Sequence, residues 1–286
     1  MSITQPHLTK TQRREAARLA AQQVAEQNAA SDSRFKRIIW SVLGLLIAGL
    51  VATVLLVARP WERPLRDAAP NFPAVPLSEV ANVPANTMPD GGFIITPTGG
   101  TTSSVNPNLP TLGVYFDYMC GWCYQFEMIN IENIRRLAAE GQANVVLHPV
   151  AILDHFTPRT HFSTRAVAAV GWVANYAPEH FLDFHIIMFE NQPSEGQGDM
   201  TNAEMAALAE RAGVPTAVAA GIADGTAAQT FGQWASSLTA VSATDPRLFD
   251  SRGRFGTPTI TINEERWDGD WSDPSAIPLA VLAAQQ

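Results

Sequence analysis

A pair of cysteines constrains this chain more than any other feature, because Cys120 and Cys123 are the only two among its 286 residues. An apolar run precedes the pair at residues 112–116 and predicts a buried strand, and helix formers follow it at residues 124–137. Cys120 is therefore expected at a helix N-terminus, where unpaired N–H groups and the helix dipole stabilise a thiolate. Two thiols at this spacing can form and break a disulfide with each other, so the placement favours redox chemistry over structural cross-linking.

Composition indicates a globular chain, with 46% hydrophobic residues, 16% charged residues and a net charge of −8. An acidic balance of this size argues against nucleic acid as a partner. The charge is unevenly distributed, because residues 1–37 carry seven basic and three acidic side chains, a net charge of +4.

An uncharged apolar stretch lies between the basic tail and the acidic remainder. Residues 38–58 carry no charge, and as a helix they would extend roughly 31 Å, the thickness of a hydrocarbon core. We predict a transmembrane helix at 38–58, a cytoplasmic basic tail at 1–37 and an extracytoplasmic remainder. A cleaved signal peptide is the alternative, but the stretch is long for one, and Leu56 occupies a position where signal cleavage requires a small residue.

Proline dominates the next segment, since ten of the 20 prolines lie between residues 59 and 110. We predict a proline-rich linker at 59–92, which as a flexible coil would have a root-mean-square span of about 30–35 Å. The folded domain is then predicted at 93–286.

Within that domain the pattern predicts a strand–helix–strand unit, a helical block at about 155–245, and a final strand–strand–helix unit. A strand–helix–strand order requires a parallel pair joined by a right-handed crossover. Thr201 and Glu204 form a capping box that predicts a helix start. The remaining predicted elements are strands at 93–95, 111–117, 144–151 and 257–262, a hairpin partner at 265–267, and helices at 179–190, 227–241 and 276–284.

The cysteine motif, its flanks and a distant Gly256-Thr257-Pro258 that opens a strand resemble a thioredoxin fold. The helical block makes the chain similar to DsbA-type thiol–disulfide oxidoreductases. The run Cys-Tyr-Gln-Phe-Glu at 123–127 and the Asp-Tyr pair at 117–118 carry the same resemblance. The resemblance implies an α/β thioredoxin fold with an inserted all-helical subdomain, and it covers residues 93–286.

The resemblance also implies roles for individual residues. Cys120 would attack as the nucleophile, and Cys123, one turn deeper, would resolve the mixed disulfide. Pro258 would be cis and would turn the backbone of Thr257 toward an extended client chain. Trp122 offers either a flat contact surface for unfolded substrate or a plain packing contact. No cofactor and no metal are expected.

The chain departs from the family pattern at two places. Strongly oxidising members carry Pro-His between the cysteines, whereas this chain has Gly121-Trp122, which supplies no positive charge and predicts a milder redox poise. Val114 stands where related proteins carry a buried acidic residue. Glu127 then has two possible roles, a proton relay to Cys123 or a salt-bridged surface carboxylate.

The cysteines have two non-catalytic explanations, and the sequence disfavours both. A static disulfide closing so short a loop would stabilise the fold little, because the entropic gain shrinks with loop size. A zinc half-site would need four ligands, and no further cysteine or adjacent histidine supplies them. His180 and His185 are five residues apart and do not share a helical face, which disfavours a metal site there.

These observations predict a membrane-tethered oxidase that donates disulfides to newly exported, cysteine-containing proteins. The family resemblance implies recharging by a quinone-linked membrane oxidase. One alternative is an isomerase or reductase that uses the same cysteines and is kept reduced by a membrane electron donor. A second alternative is a tethered chaperone or assembly factor without redox turnover.

Overall fold

The computed structural model describes residues 70–285 continuously, together with isolated positions in the earlier part of the chain. All elements described below belong to one compact unit, Pro64–Gln286. The predicted basic tail at 1–37 and transmembrane helix at 38–58 lie outside the described residues, apart from those isolated positions. Among the helices of the described part, none combines the length and the apolar character needed to cross a bilayer.

A six-stranded mixed sheet forms the centre of the domain, in the order β2-β1-β4-β3-β5-β6. The central strands β3 and β4 are parallel, and every other neighbouring pair is antiparallel. The strands are β1 (Phe93–Ile95), β2 (Thr101–Thr102), β3 (Thr111–Phe116), β4 (Asn144–Pro149), β5 (Thr259–Ile262) and β6 (Glu265–Arg266).

Helices cover the sheet and fill the interval between β4 and β5. The first helix, α1, connects the parallel strands β3 and β4, as the strand–helix–strand pattern requires. The last helix, α7, follows the β5–β6 hairpin. The helices are α1 (Gly121–Ala139), α2 (Phe162–Tyr176), α3 (Phe181–Glu190), α4 (Asn202–Arg211), α5 (Thr216–Ala223), α6 (Thr226–Thr244) and α7 (Ala276–Ala283).

Buried apolar side chains of β3 and α1 belong to one hydrophobic core. Val114 and Phe116 of β3 and Phe126 and Ile134 of α1 are all fully buried in it. Burial of such side chains contributes about 1.5–3 kcal/mol each. This packing orients the start of α1 relative to the end of β3, which is where the two cysteines lie.

The helical block has its own core, in which α2 packs closely on α6. Gly171 of α2 allows this approach, because a Cβ atom there would lie 2.9 Å from the Trp234 ring. The predicted capping box at the start of α4 is present, with Thr201 accepting from the Glu204 N–H and Glu204 accepting from the Thr201 N–H. The close packing and the helix cap stabilise the block, to which α3 and the loop after it belong.

Part of the segment predicted as a linker at 59–92 has a different structure. Phe72 packs on Gly232 of α6, where a Cβ atom would lie 2.1 Å from the Phe72 ring. The Val75 N–H donates to Ser237 Oγ (3.0 Å), and the Ala85 N–H donates to Asn175 Oδ1 (2.8 Å). The prolines disfavour regular structure, but the apolar residues between them anchor residues 72–85 to the helical block.

Candidate active site

The two cysteines begin helix α1. Cys120 is the N-cap residue with extended backbone angles (φ −78°, ψ 117°), and its carbonyl accepts the first helical hydrogen bond from the Tyr124 N–H (3.1 Å). The two cysteines are not joined by a disulfide. Cys120 is 5% exposed and Cys123 is fully buried. The predicted order of accessibility is confirmed, but Cys120 is far less exposed than a residue at a free helix tip.

The two thiols differ in pKa because their environments differ. The hydrogen bond from the Cys123 thiol is the largest cause that lowers the pKa of Cys120, to about 6, while burial opposes it. The side chain of Thr257 and the backbone N–H groups of Trp122 and Cys123 add to the stabilisation of the thiolate. The pKa of Cys123 is raised well above its usual value, first by burial and then by its bond to Cys120. Cys120 is therefore the thiolate near neutral pH, and Cys123 is the thiol.

Thr257 and Pro258 lie directly against the nucleophile. The Thr257–Pro258 peptide bond is cis, as the resemblance implies. Cys120 Sγ lies 3.4 Å from the Thr257 carbonyl oxygen. Strand pairing explains the contact, because β5 runs antiparallel to β3, with Thr259 opposite Tyr115. The start of β5 and the end of β3 therefore meet at the same edge of the sheet.

A buried carboxyl group at Asp117 supports the turn between β3 and α1. Asp117 Oδ1 accepts from the Met119 N–H (2.8 Å) and from Ser163 Oγ (2.7 Å), and Oδ2 accepts from the Leu153 N–H (2.9 Å). Burial raises the pKa of Asp117 to about 7, although these hydrogen bonds lower it. In the sequence, Asp117 is recognisable only as part of the Asp-Tyr pair that carries the family resemblance. The sequence does contain a signal for this supporting role, because the carboxylate lies directly after a buried strand and three residues before the motif.

Glu127 is not a surface residue. It is 1% exposed and faces the helical block from the same side of α1 as Cys123. Its Oε1 lies 3.2 Å from His185 Nε2, although the ring N–H is not aligned for a hydrogen bond. His185 Nδ1 bonds to the Tyr118 hydroxyl at 2.9 Å. The predicted surface role of Glu127 is wrong, because the packing of α1 on α3 buries this face of the helix.

The loop after α3 contacts the start of α1, which the sequence did not predict. Gln192 Nε2 donates to the Cys120 carbonyl (3.0 Å), and the Gly121 N–H donates to Glu195 Oε2 (3.0 Å). A carboxylate is thus placed at the helix N-terminus, beside the nucleophile. These contacts join residues more than 70 positions apart, so no local sequence pattern could indicate them.

Trp122 is both exposed and packed. It is 61% exposed, and the rest of its ring meets Trp271 edge-on, with ring centroids 6.4 Å apart. Both roles predicted for it, a flat contact surface and a packing contact, are compatible with this position. Among the residues that the structure describes, no cluster of three or more histidine, cysteine or acidic side chains could hold a metal ion.

The site is thus a dithiol at a helix N-terminus, facing a cis-proline loop, within a thioredoxin-like sheet that carries a helical insertion. This arrangement defines a thioredoxin-fold thiol–disulfide exchange site. The chain belongs to the family of DSBA-like thioredoxin domains, whose model matches residues 111–274, more than half of its length.

Individual relatives agree with this assignment. The oxidised form of Mycobacterium tuberculosis DsbA is 27% identical, with a TM-score of 0.54 over 68% of this chain and 92% of that one. The reduced disulfide bond oxidoreductase DsbG of the same organism is also 27% identical, with a TM-score of 0.52 over 74% and 89%. The family, the fold and the dithiol together support thiol–disulfide oxidoreductase activity.

A curated relative matches this chain over a minor part of its own length. Serine/threonine-protein kinase PknE of Mycobacterium tuberculosis H37Rv is 31% identical over 168 residues. The match includes 57% of this chain but only 27% of the kinase. The similarity therefore concerns a part of that protein.

Proposed function

We propose that this protein is a membrane-tethered oxidase that forms disulfides in exported, cysteine-containing proteins. The observation that carries the proposal is the acidity difference between the two thiols. A thiolate with a low pKa is a good leaving group, so a mixed disulfide at Cys120 readily passes its oxidising equivalent to the client.

The exchange runs in two steps. A client thiolate attacks Cys120 Sγ of the Cys120–Cys123 disulfide, the S–S bond breaks, and Cys123 leaves and takes up a proton. A second client thiolate then attacks the client sulfur, and Cys120 leaves as a thiolate. The client has lost two electrons and gained a disulfide, and the protein holds the electrons as one thiol and one thiolate.

Thr257 supports client capture in this scheme. Its carbonyl oxygen lies beside Cys120 Sγ, and no hydrogen bond engages its N–H within residues 70–285. An extended client chain can pair with this backbone as an added strand while its sulfur reaches Cys120. Trp122 adds an exposed apolar surface beside the reacting sulfur.

Turnover requires a redox partner that accepts two electrons from the reduced pair. We propose a quinone-linked membrane oxidase, since a tether at residues 38–58 would hold both proteins at the same membrane. A membrane electron donor would instead fit an isomerase or reductase.

Trapping in cells tests the function. With Cys123→Ala, the mixed disulfide between Cys120 and a client cannot be resolved, so we expect covalent, reductant-sensitive adducts with exported proteins. Cys120→Ser is the matched control and should form none. Full function in cells that carry Cys120→Ser would contradict redox turnover and favour the chaperone alternative.

The direction of exchange needs a separate measurement. Equilibration of the full-length protein with glutathione gives its reduction potential, and the redox state of the pair in growing cells shows which partner acts on it. We expect an oxidised pair and a potential less oxidising than about −120 mV, the value of the strongest oxidant of this kind. A pair that is reduced in cells would select the isomerase or reductase.

A further inference from the structure

A polar cleft opens beside the Thr257–Pro258 loop. Its volume is about 330 Å³. The cleft shares Thr257 and Pro258 with the exchange site, so it is continuous with the place where a client chain is captured. The other lining residues are Asp250, Arg252, Arg254, Phe255, Gly256 and Arg266.

The cleft is positively charged within an acidic protein. Three arginines and one aspartate line it, in a chain whose net charge is −8. Arg252 Nε lies 3.2 Å from Asp250 Oδ2, and Arg266 Nε lies 2.7 Å from Asp268 Oδ1, so the charges of both arginines are partly neutralised. Arg254 is exposed and has no ion-pair partner among the described residues. The guanidinium of Arg254 is therefore available to an incoming anion.

A tight turn orders the backbone of the two exposed arginines. Asp250 Oδ1 accepts from the Arg252 N–H (2.9 Å) and the Arg254 N–H (3.0 Å), and the Asp250 N–H donates to the Arg254 carbonyl (2.8 Å). Gly253 has a positive φ of 74°, which closes the turn. The backbone that carries the arginines is thus ordered before any ligand arrives, which reduces the entropic cost of binding.

The N-terminus of α1, next to the nucleophile, carries the opposite charge. Glu195 accepts from the Gly121 N–H, beside Cys120, and is exposed. A client chain joined to Cys120 would therefore find a carboxylate at the start of α1 and arginines beside the Thr257–Pro258 loop. A charged peptide can distinguish these two places.

We propose that the Arg252–Arg254 cleft is a specificity site that binds an aspartate or glutamate side chain of the client, close to the client cysteine. The proposal rests on the proposed function, since the client is held as a mixed disulfide at Cys120. Guanidinium groups bind carboxylates through paired, charge-assisted hydrogen bonds, which fits this chemistry.

Chain geometry sets the distance between the acidic residue and the client cysteine. Cys120 Sγ lies 3.4 Å from the Thr257 carbonyl, so a client cysteine joined to Cys120 lies beside Thr257. An extended chain advances about 3.3 Å per residue, and Arg254 is three residues from Thr257. An acidic residue within about three positions of the client cysteine can therefore reach the cleft.

The test compares reduced peptides that differ in one residue. Each peptide contains two cysteines and carries Glu, Gln or Lys two positions from the first, and the oxidised full-length protein is assayed for the rate of disulfide formation. We expect kcat/KM to be about three- to tenfold higher for the Glu peptide than for the Lys peptide. Added salt should reduce this ratio, because the contacts are solvent-exposed.

Charge reversal in the cleft provides the decisive comparison. In the double variant Arg252→Glu, Arg254→Glu the ratio should invert in favour of the Lys peptide, and Arg254→Gln alone should reduce it. Arg211→Glu on α4 makes a charge change of the same kind away from the site and should retain the wild-type ratio. Because the readout is a ratio of two peptides on one protein, a change in overall activity does not affect it.

Two outcomes would overturn the proposal, and they differ from a failure of the proposed function. Equal rates for all three peptides with the wild-type protein would show that the cleft does not select, although exchange occurs. A preference for Glu that persists in the double variant would place the selection elsewhere. Failure to oxidise any of the peptides, together with failure to exchange with dithiothreitol, would instead contradict the oxidase and, with it, the cleft.

Discussion

At the scale of single residues, the chemistry depends on the difference in pKa between two neighbouring thiols. Cys120 has hydrogen-bond donors around its Sγ, while Cys123 is fully buried and donates to it. Hydrogen-bond donors stabilise the thiolate and burial destabilises it, so the same motif contains one thiol with a lowered pKa and one with a raised pKa. Gly121 and Trp122 contribute no side-chain charge, which leaves the helix terminus, Cys123 and Thr257 as the stabilising groups.

The first prediction concerns the pH dependence of Cys120. Its pKa of about 6 lies below the usual value, so the thiolate predominates above pH 6 and is lost as the pH falls through that value. Alkylation of the reduced full-length protein should therefore rise with pH to a plateau, with a midpoint near 6. Cys120→Ser should remove this reaction, because Cys123 is inaccessible. A midpoint near 9 would contradict the hydrogen-bonded environment.

A second prediction concerns Asp117. Its folded pKa of about 7 exceeds the usual value of 3.8, so the folded state binds its proton more tightly than the unfolded state. This group therefore makes the protein less stable as the pH rises from about 4 to 7, by up to about 4 kcal/mol. Denaturant unfolding of the oxidised wild type and of Asp117→Asn at both pH values measures the difference. An identical pH dependence in the two proteins would contradict the raised pKa.

A third prediction concerns Glu127, which is buried near His185 and one helical turn from Cys123. If this carboxylate relays protons to Cys123, Glu127→Gln should lower the exchange rate most where Cys123 must be protonated or deprotonated. Rates measured from pH 5 to 9 test this. Exchange that is unchanged at every pH would leave Glu127 with a structural role only.

At the scale of elements, the sequence predicted what local patterns encode. The helix that begins at the motif, its buried face and the glycine that ends it were all predictable, because each depends on periodicity or on a terminal signal. Helix α5 was missed, since it is short, rich in alanine and interrupted by Gly221. The loop contacts of Gln192 and Glu195 were also missed, because they depend on how the helical block is placed against α1.

The fourth prediction belongs to this loop. The Glu195 carboxylate lies at the N-terminus of α1, where its negative charge opposes a second negative charge on Cys120. Glu195→Gln retains an acceptor for the Gly121 N–H but removes the charge, so the pKa of Cys120 should fall by about 0.2–0.7 units. The alkylation midpoint measures the shift. Glu190→Gln, at the end of α3, is the control, and an unchanged or higher midpoint in Glu195→Gln would contradict the electrostatic contact.

At the scale of the whole molecule, the segment before β1 packs against the folded domain. Its prolines predicted a linker from composition alone, yet apolar residues at 72, 75, 77 and 80 contact the helical core. Composition predicts the local backbone conformation of a segment, but not the tertiary contacts that its side chains make. Part of the segment predicted as a linker at 59–92 therefore belongs to the folded domain.

The fifth prediction tests this docking. Phe72 packs on Gly232, so Phe72→Ala removes the contact, and Gly232→Ala displaces the ring while leaving it in the chain. Both variants should free residues 70–85 and increase protease cleavage there, with a loss of about 1–3 kcal/mol from the unfolding free energy. Asn71→Ala, an exposed neighbour, should change neither. If both variants resist proteolysis as the wild type does, the segment is held by its other contacts, and Phe72 is not the anchor.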